Sequence, residues 1–121
     1  MTYRLAIVGS RDFDDRALFY REMQKLVNRF GKPRLVVSGG ARGADTFGEQ
    51  WAKGRGIEVM ILLPDWAAHG RAAGNLRNTD IVAAVDRVIA FHKDGSRGTL
   101  DTLRKARRAL GDDHVHVIDS L

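Results

Sequence analysis

The chain has 121 residues, a formal net charge of +5, a sequence pI near 10.1 and no cysteine. A disulfide scaffold, a zinc ribbon and a catalytic thiol are excluded, and the ordinary apolar content argues against wholesale disorder. No apolar run approaches the roughly 20 residues that cross a bilayer, so a cytoplasmic protein without membrane contact is expected. The length fits one domain over residues 1–121 that folds without a metal staple.

Residues 5–8 (LAIV) form a continuous apolar run closed by Gly9, the pattern of a strand buried on both faces. Asp14 is placed to cap a helix running to about Phe30, with Phe19, Met23, Leu26 and Phe30 on one stripe. Gly31 and Pro33 stop it. A second strand over 35–37 runs into SGGARGAD, and a second helix is expected from about Ala44 to Lys53 with Ala44, Phe47 and Trp51 inward. Residues 57–63 read as a third apolar strand closed by Pro64, and DWAAHGRAAG as a loop. A third helix is expected over 76–85 and a fourth strand over 87–91. After HKDGSRG, a fourth helix carries the stripe Leu100, Leu103, Ala106 and Leu110, and Val115, Val117 and Ile118 make a last strand.

Strands alternating with helices predict an α/β fold: a Rossmann-like, doubly wound parallel sheet of about five strands with helices on both faces. Ligands of such sheets sit at the carboxyl ends of the strands, where strand order reverses. The loops there read GSRDFDD, SGGARGAD and GSRGT, each with glycine, a hydroxyl residue and arginine. Glycines allow close backbone approach, helix-opening amides carry partial positive charge, and arginine grips phosphate oxygens in pairs. The three loops are therefore expected to share an anionic ligand. Gly9, Ser10 and Arg11 would line one wall. Ser38, Gly39, Gly40, Ala41, Arg42 and Gly43 would cradle a phosphate, and Asp45, in the first turn of the second helix, would either face the ligand or cap that helix. Gly95, Ser96, Gly98 and Thr99 would hold a terminal phosphate. GxxxxGK[ST] is absent, as is GxGxxG after the first strand, which excludes a P-loop NTPase and the usual dinucleotide fingerprint. His114 and His116 alternate on one strand face with no carboxylates to complete a metal site, so no metal and no required cofactor are expected.

The strings AIVGSRDFDD, VVSGGARGAD, DWAAHGRAAGNLRN and AFHKDGSRGT resemble the SLOG superfamily and, within it, the YspA/YpsA-related family of small bacterial and phage proteins. The resemblance covers nearly the whole chain. It implies a Rossmann-like fold that recognises nucleotides, nucleotide sugars or nucleic acid. Against the Lonely-guy phosphoribohydrolases of the superfamily, Arg77 in NLRN matches a catalytic arginine and GSRGTLDT the glycine-threonine loop. Asn75, Arg77 and Asn78 would then face the ribose or a second phosphate. The glutamate those enzymes use falls on Thr102, and Asp101, one residue earlier, is expected to point away. The DNA-processing protein A relatives use a similar glycine loop for single-stranded DNA, which suits the basic charge, with Trp66 as the one aromatic placed to stack on a base. The leading expectation is a sensor or sequestering module for a nucleotide-derived small molecule, a nucleoside phosphate or an ADP-ribose-like ligand. An altered N-glycosidic hydrolase using Arg77 and a single-stranded nucleic-acid binder are the alternatives. Relatives imply a homo-oligomer, a dimer.

Overall fold

Side-chain alternation along β1 (Arg4–Gly9) sorts the core into two halves. Leu5 and Ile7 point to one side of the sheet, Ala6 and Val8 to the other, and all four are buried. The computed structural model describes residues 2–93 and 95–119. In it β2 (Leu35–Ser38), β3 (Glu58–Ile61), β4 (Arg87–His92) and β5 (Val115–Asp119) join β1 in one sheet of order β3-β2-β1-β4-β5. Every pairing is parallel, with Arg4 beside Leu35 and Gly9 beside Phe91. The expected doubly wound α/β architecture is present.

The helices follow the two halves of the core. α1 (Arg16–Phe30) lays Phe19, Met23 and Leu26 on the Leu5–Ile7 face, and α2 (Ala44–Gly54) adds Ala44, Trp51 and Ala52. α4 (Ala73–Ala83) and α5 (Arg97–Leu110) cover the other face with Ile81, Val82, Leu103 and Ala106. Successive right-handed crossovers carry the chain outward from β1 to β3 on one face. The connection from β3 then returns past β1 to β4 on the opposite face. Strand order therefore reverses between β1 and β4, and their carboxyl ends part to leave a crevice.

Local chemistry sets the element ends. Asp15, rather than Asp14, caps α1, its Oδ1 accepting from the Leu18 amide at 3.0 Å. Gly31, at φ 87°, ends the helix by donating to the Val27 carbonyl. Ser96 caps α5, and Arg107 and Arg108 sit in its last turn, where the helix dipole favours cations.

Four expectations are corrected. DWAAHGRAAG is not a loop: Asp65 caps a short α3 (Trp66–His69), a 3-10 turn follows over Gly70–Ala72, and α4 begins at Ala73 rather than at residue 76. The third strand covers Glu58–Ile61 rather than residues 57–63, and its side chains are largely exposed because it forms the sheet edge. Leu100 is exposed, since the buried stripe of α5 runs through Thr99, Thr102, Leu103 and Ala106. His114 lies in a 3-10 turn (Asp112–His114) ahead of β5, so it does not share a strand face with His116.

Gly48 marks a close approach of α2 to the sheet. A Cβ there would lie 2.7 Å from Cγ2 of the fully buried Ile7. Gly54, at the end of the same helix, faces open space. Gly48→Ala is expected to destabilise by about 1–3 kcal/mol despite the better helix propensity of alanine, because Ile7 has nowhere to move. Gly54→Ala is expected to stabilise by roughly 0.5–1 kcal/mol. Urea unfolding of the two variants checks the opposite signs.

Candidate anion-binding cleft

The crevice between β1 and β4 is a cleft of about 370 Å³. Its first wall is the turn after β1. Gly9 has no room for a side chain: a Cβ would meet the Phe91 carbonyl oxygen and come within 2.6 Å of the Ala44 methyl. This close approach lets the Ser10 amide donate to the Phe91 carbonyl at 3.1 Å. The Ser10 hydroxyl then donates to the Lys93 carbonyl and accepts from the Lys93 amide, both at 2.8 Å. Ser10 thus stitches the β1 turn to the β4 turn, and Arg11, Asp12 and Lys93 line the cleft on either side of the stitch. Beneath them Phe13 is buried against Phe47 and Phe91 and anchors the turn.

The turn after β2 is held from inside by a carboxylate. Asp45 Oδ2 accepts from the Gly39 amide at 3.1 Å and from the Ala41 amide at 3.4 Å. The Gly40 amide donates to Ser38 Oγ at 3.1 Å, and that hydroxyl donates to Glu49 Oε2 at 2.6 Å. The expected phosphate cradle at Ser38, Gly39 and Gly40 therefore meets donors already in use. Asp45 fits tightly enough that a Cβ on Gly39 would lie 2.9 Å from its Oδ2. Gly43, at φ 76°, packs on the Ser10 and Arg11 carbonyls, so its role is to bring α2 against the β1 turn. Asp45 is no N-cap: the cap position is Gly43, and Asp45 works on the turn before the helix.

The third wall comes from α4 and α5. Arg77 Nη1 donates to the Gly39 carbonyl at 2.6 Å and more weakly to the Leu62 carbonyl at 3.4 Å, while Nε donates to Asn78 Oδ1 at 3.0 Å. Asn78 Nδ2 donates to the Gly98 carbonyl and to Asp101 Oδ2, tying α4 to the start of α5. Asp101 is buried and also meets Lys105 at 2.9 Å and Arg104 at 3.1 Å; its carboxylate lies outside the cleft lining, as the helix geometry required. Thr102 does line the cleft, and its hydroxyl donates to the Gly98 carbonyl at 3.2 Å.

The structure brings Gly9, Ser10, Arg11, Ala41, Asp45, Arg77, Asn78, Ser96, Gly98 and Thr99 together around one space. Ser38, Gly39, Gly40, Arg42, Gly43, Asn75 and Gly95 are outside its lining. Arg42, Asn75 and Gly95 are exposed, and the Asn75 carbonyl serves Lys105 Nζ at 2.6 Å. Sequence reasoning did not single out Lys93 or Glu49. Lys93 follows directly on the fourth strand, where the fold places ligand residues, and Glu49 stands four residues after Asp45 on the same helix face.

Charge within the cleft is mixed but weighted to the positive, with Arg11, Arg77 and Lys93 against Asp12 and Asp45. Burial pushes the Asp45 carboxyl up to about 6, against the pull of the Ala41 and Gly39 amides and the Arg77 charge. Burial likewise lowers Arg77, offset by Asp45 and assisted by Arg11.

A family model described as the YspA, cpYpsA-related SLOG family matches residues 3–69, which carry β1, β2 and the glycine turns after them. The gene 61 protein of Mycobacterium phage D29 is 38% identical over 112 residues, 88% of this chain and 90% of that protein. The chain belongs to the YspA, cpYpsA-related SLOG family. Its fold is similar to the X-ray structure of DNA processing protein A (DprA) from Streptococcus pneumoniae, with a TM-score of 0.56 at 18% identity. That likeness covers 97% of this SLOG chain and 58% of the longer DprA chain, and it speaks to fold.

The raised Asp45 carboxyl gives a pH dependence with a defined sign. Between its ordinary value of 3.8 and about 6, the folded state holds a proton that the unfolded chain has lost. The contribution of this group to stability therefore falls as pH rises from about 4 to about 6. His116, held below its ordinary 6.5 by burial and by Arg87 and Arg29, acts oppositely and loses stability as pH falls. Asp45→Asn removes only the first effect. Urea unfolding is expected to show the variant gaining on the wild type between about pH 4 and pH 7, by on the order of 3 kcal/mol. A difference that stays constant over that range contradicts the assignment.

Proposed function

We propose that this protein binds a nucleotide or nucleotide-derived ligand, a nucleoside phosphate or an ADP-ribose-like molecule, in the cleft between β1 and β4, as a sensor or sequestering module. One observation carries the reading. At the switch point of the sheet, the start of the 14-residue α5 and the cations Arg11, Arg77 and Lys93 converge on one space. Helix-opening amides and cations together suit a phosphate, and the volume lies in the range of about 300–1,000 Å³ typical of small-molecule sites. Membership of a SLOG family supports a nucleotide- or nucleic-acid-related role.

The phosphate subsite in this reading is formed by Arg11 and Lys93 with Ser96, Gly98 and Thr99. The β2 turn, whose donors serve Asp45 and Ser38, shapes the opposite wall. Ala41 and Asp45 reach the cleft there, and Asn78 holds the α5 start in place.

A second reading has one observation of its own. The acidic side chains lining the cleft include Asp45, whose carboxyl ionises near pH 6, the range in which a general acid or base works. Hydrolysis of an N-glycosidic bond would draw on that group, since Thr102 stands at the glutamate position and Asp101 is spent on Asn78, Arg104 and Lys105.

Calorimetric titration with AMP and ADP-ribose separates the readings. Binding without release of base or ribose phosphate is the expected result. Arg11 is exposed and lines the cleft, so Arg11→Ala is expected to weaken binding about tenfold or more while leaving the unfolding midpoint unchanged. Failure of both ligands to bind contradicts the proposal. Steady release of base that Asp45→Asn abolishes would favour the hydrolase. Tighter binding of a single-stranded oligonucleotide, falling steeply with salt, would favour nucleic acid.

A further inference from the structure

The groove between α1 and β5 gathers cationic donors that have no acidic partner. β5 lies at the sheet edge, two strands from the β1 side chains that α1 covers, so His116 and Ile118 on its α1 face stay half-exposed. They wall a groove of about 170 Å³ together with Phe30, over a floor of buried Leu26 and Ile89. The guanidiniums of Arg29 and Arg87 both lie over the Phe30 ring, 4.9 and 3.7 Å from its centre. Among the described residues neither meets a carboxylate within ion-pair distance. The one carboxylate on the groove, Glu22, is taken by Lys25 at 3.1 Å. Arg87 Nη1 donates to the Asp113 carbonyl and to His116 Nε2, both at 3.0 Å. That bond occupies the acceptor nitrogen of the ring, so His116 carries its proton on Nδ1 and is a donor there. Burial and the charges of Arg87, Arg29 and His114 hold His116 below its ordinary 6.5, which keeps this neutral form in place. Arg29 by itself would answer to the negative end of α1, but Arg87 and His116 belong to β4 and β5 and do not.

We propose that this groove is a second ligand site, for a small organic carboxylate with a compact apolar body. Charge selects the head group. Arg29, Arg87 and His116 bring donors to one corner, and an anionic acceptor is what that corner lacks. The floor selects the body, since Leu26, Phe30, Ile89 and Ile118 offer only apolar surface. Volume selects the size. The groove has under half the volume of the β1–β4 cleft and falls below the roughly 300 Å³ at which small-molecule sites ordinarily begin, so it takes a ring or branched chain of about six carbons and not a nucleotide. A carboxylate also suits it better than a phosphate dianion, because the single charge costs less to bring against apolar walls. The site shares no lining residue with the β1–β4 cleft and does not depend on what that cleft binds.

The test is amide and imidazole NMR of the full chain at pH 7 during titration with benzoate. Benzyl alcohol supplies the body without the charge, and inorganic phosphate the charge without the body. Benzoate is expected to saturate with a dissociation constant on the order of 1 mM, with the largest amide changes at Leu26, Phe30 and Ile118. It is also expected to raise the pKa of His116, since a carboxylate beside the ring favours the imidazolium. Arg29→Gln, an exposed position that keeps the fold, is expected to weaken binding about tenfold through the loss of one charged hydrogen bond. Benzyl alcohol and phosphate are expected to produce no saturable change in the same range. Absence of saturation by benzoate up to about 20 mM overturns the proposal, as this exceeds the expected constant severalfold. So do changes centred on Arg11 and Gly98 instead, phosphate binding as tight as benzoate, or an Arg29→Gln variant that binds benzoate like the wild type.

Discussion

A buried carboxylate holds the β2 turn, and the shape of the cleft follows from it. Asp45 reaches back from the first turn of α2 to the Gly39 and Ala41 amides, and the charge of Arg77 faces it from α4. Arg77 in turn grips the Gly39 carbonyl from the opposite side of the sheet. One short turn is thus fixed by two charged groups from helices on different faces. Removing either would leave the other in a low-dielectric site without its partner, the costly half of a buried pair. Gly39 follows from the same crowding, since a side chain there would collide with both groups.

This arrangement divides labour between glycine loops that look equivalent in sequence. In the β2 turn the internal anion takes the place an external one would have, and the backbone donors serve the fold. In the β1 and β4 turns the stitch through Ser10 uses one hydroxyl and leaves Arg11 and Lys93 at the cleft. In the proposed reading, anion binding therefore draws on side-chain cations and the start of α5. The raised carboxyl of Asp45 belongs to the same picture. An anion entering the cleft and an ionised Asp45 repel each other, so occupancy of the site and protonation of Asp45 favour one another.

Much of the fold was legible because each buried strand announces itself as an apolar run closed by glycine or a turn. LAIVG and LVVSGG are examples, and the helices between them carry stripes such as Phe19, Met23 and Leu26. The misreadings have physical causes. Residues 57–63 read as an apolar strand, but composition does not reveal that the strand lies at an edge and is shorter than the apolar run. α3 was hidden because four residues are too few for periodicity; its start is set by the Asp65 cap. In the site, the residue types and loops were legible while the partners were not. Nothing in SGGARGAD says that its own aspartate satisfies its own glycines; that depends on how α2 turns after Gly43. Asp101 was readable from helix geometry alone, and it does stay out of the cleft.

The central claim is that an anionic nucleotide group sits between the β1 and β4 turns and not in the glycine turn after β2. Amide NMR during titration with ADP-ribose tests it most directly. The account predicts the largest shift changes at Arg11, Lys93, Gly98 and Thr99, with smaller ones at Gly39 and Gly40. Changes concentrated at Gly39, Gly40 and Ala41, or no saturable change in any of these amides, would contradict it.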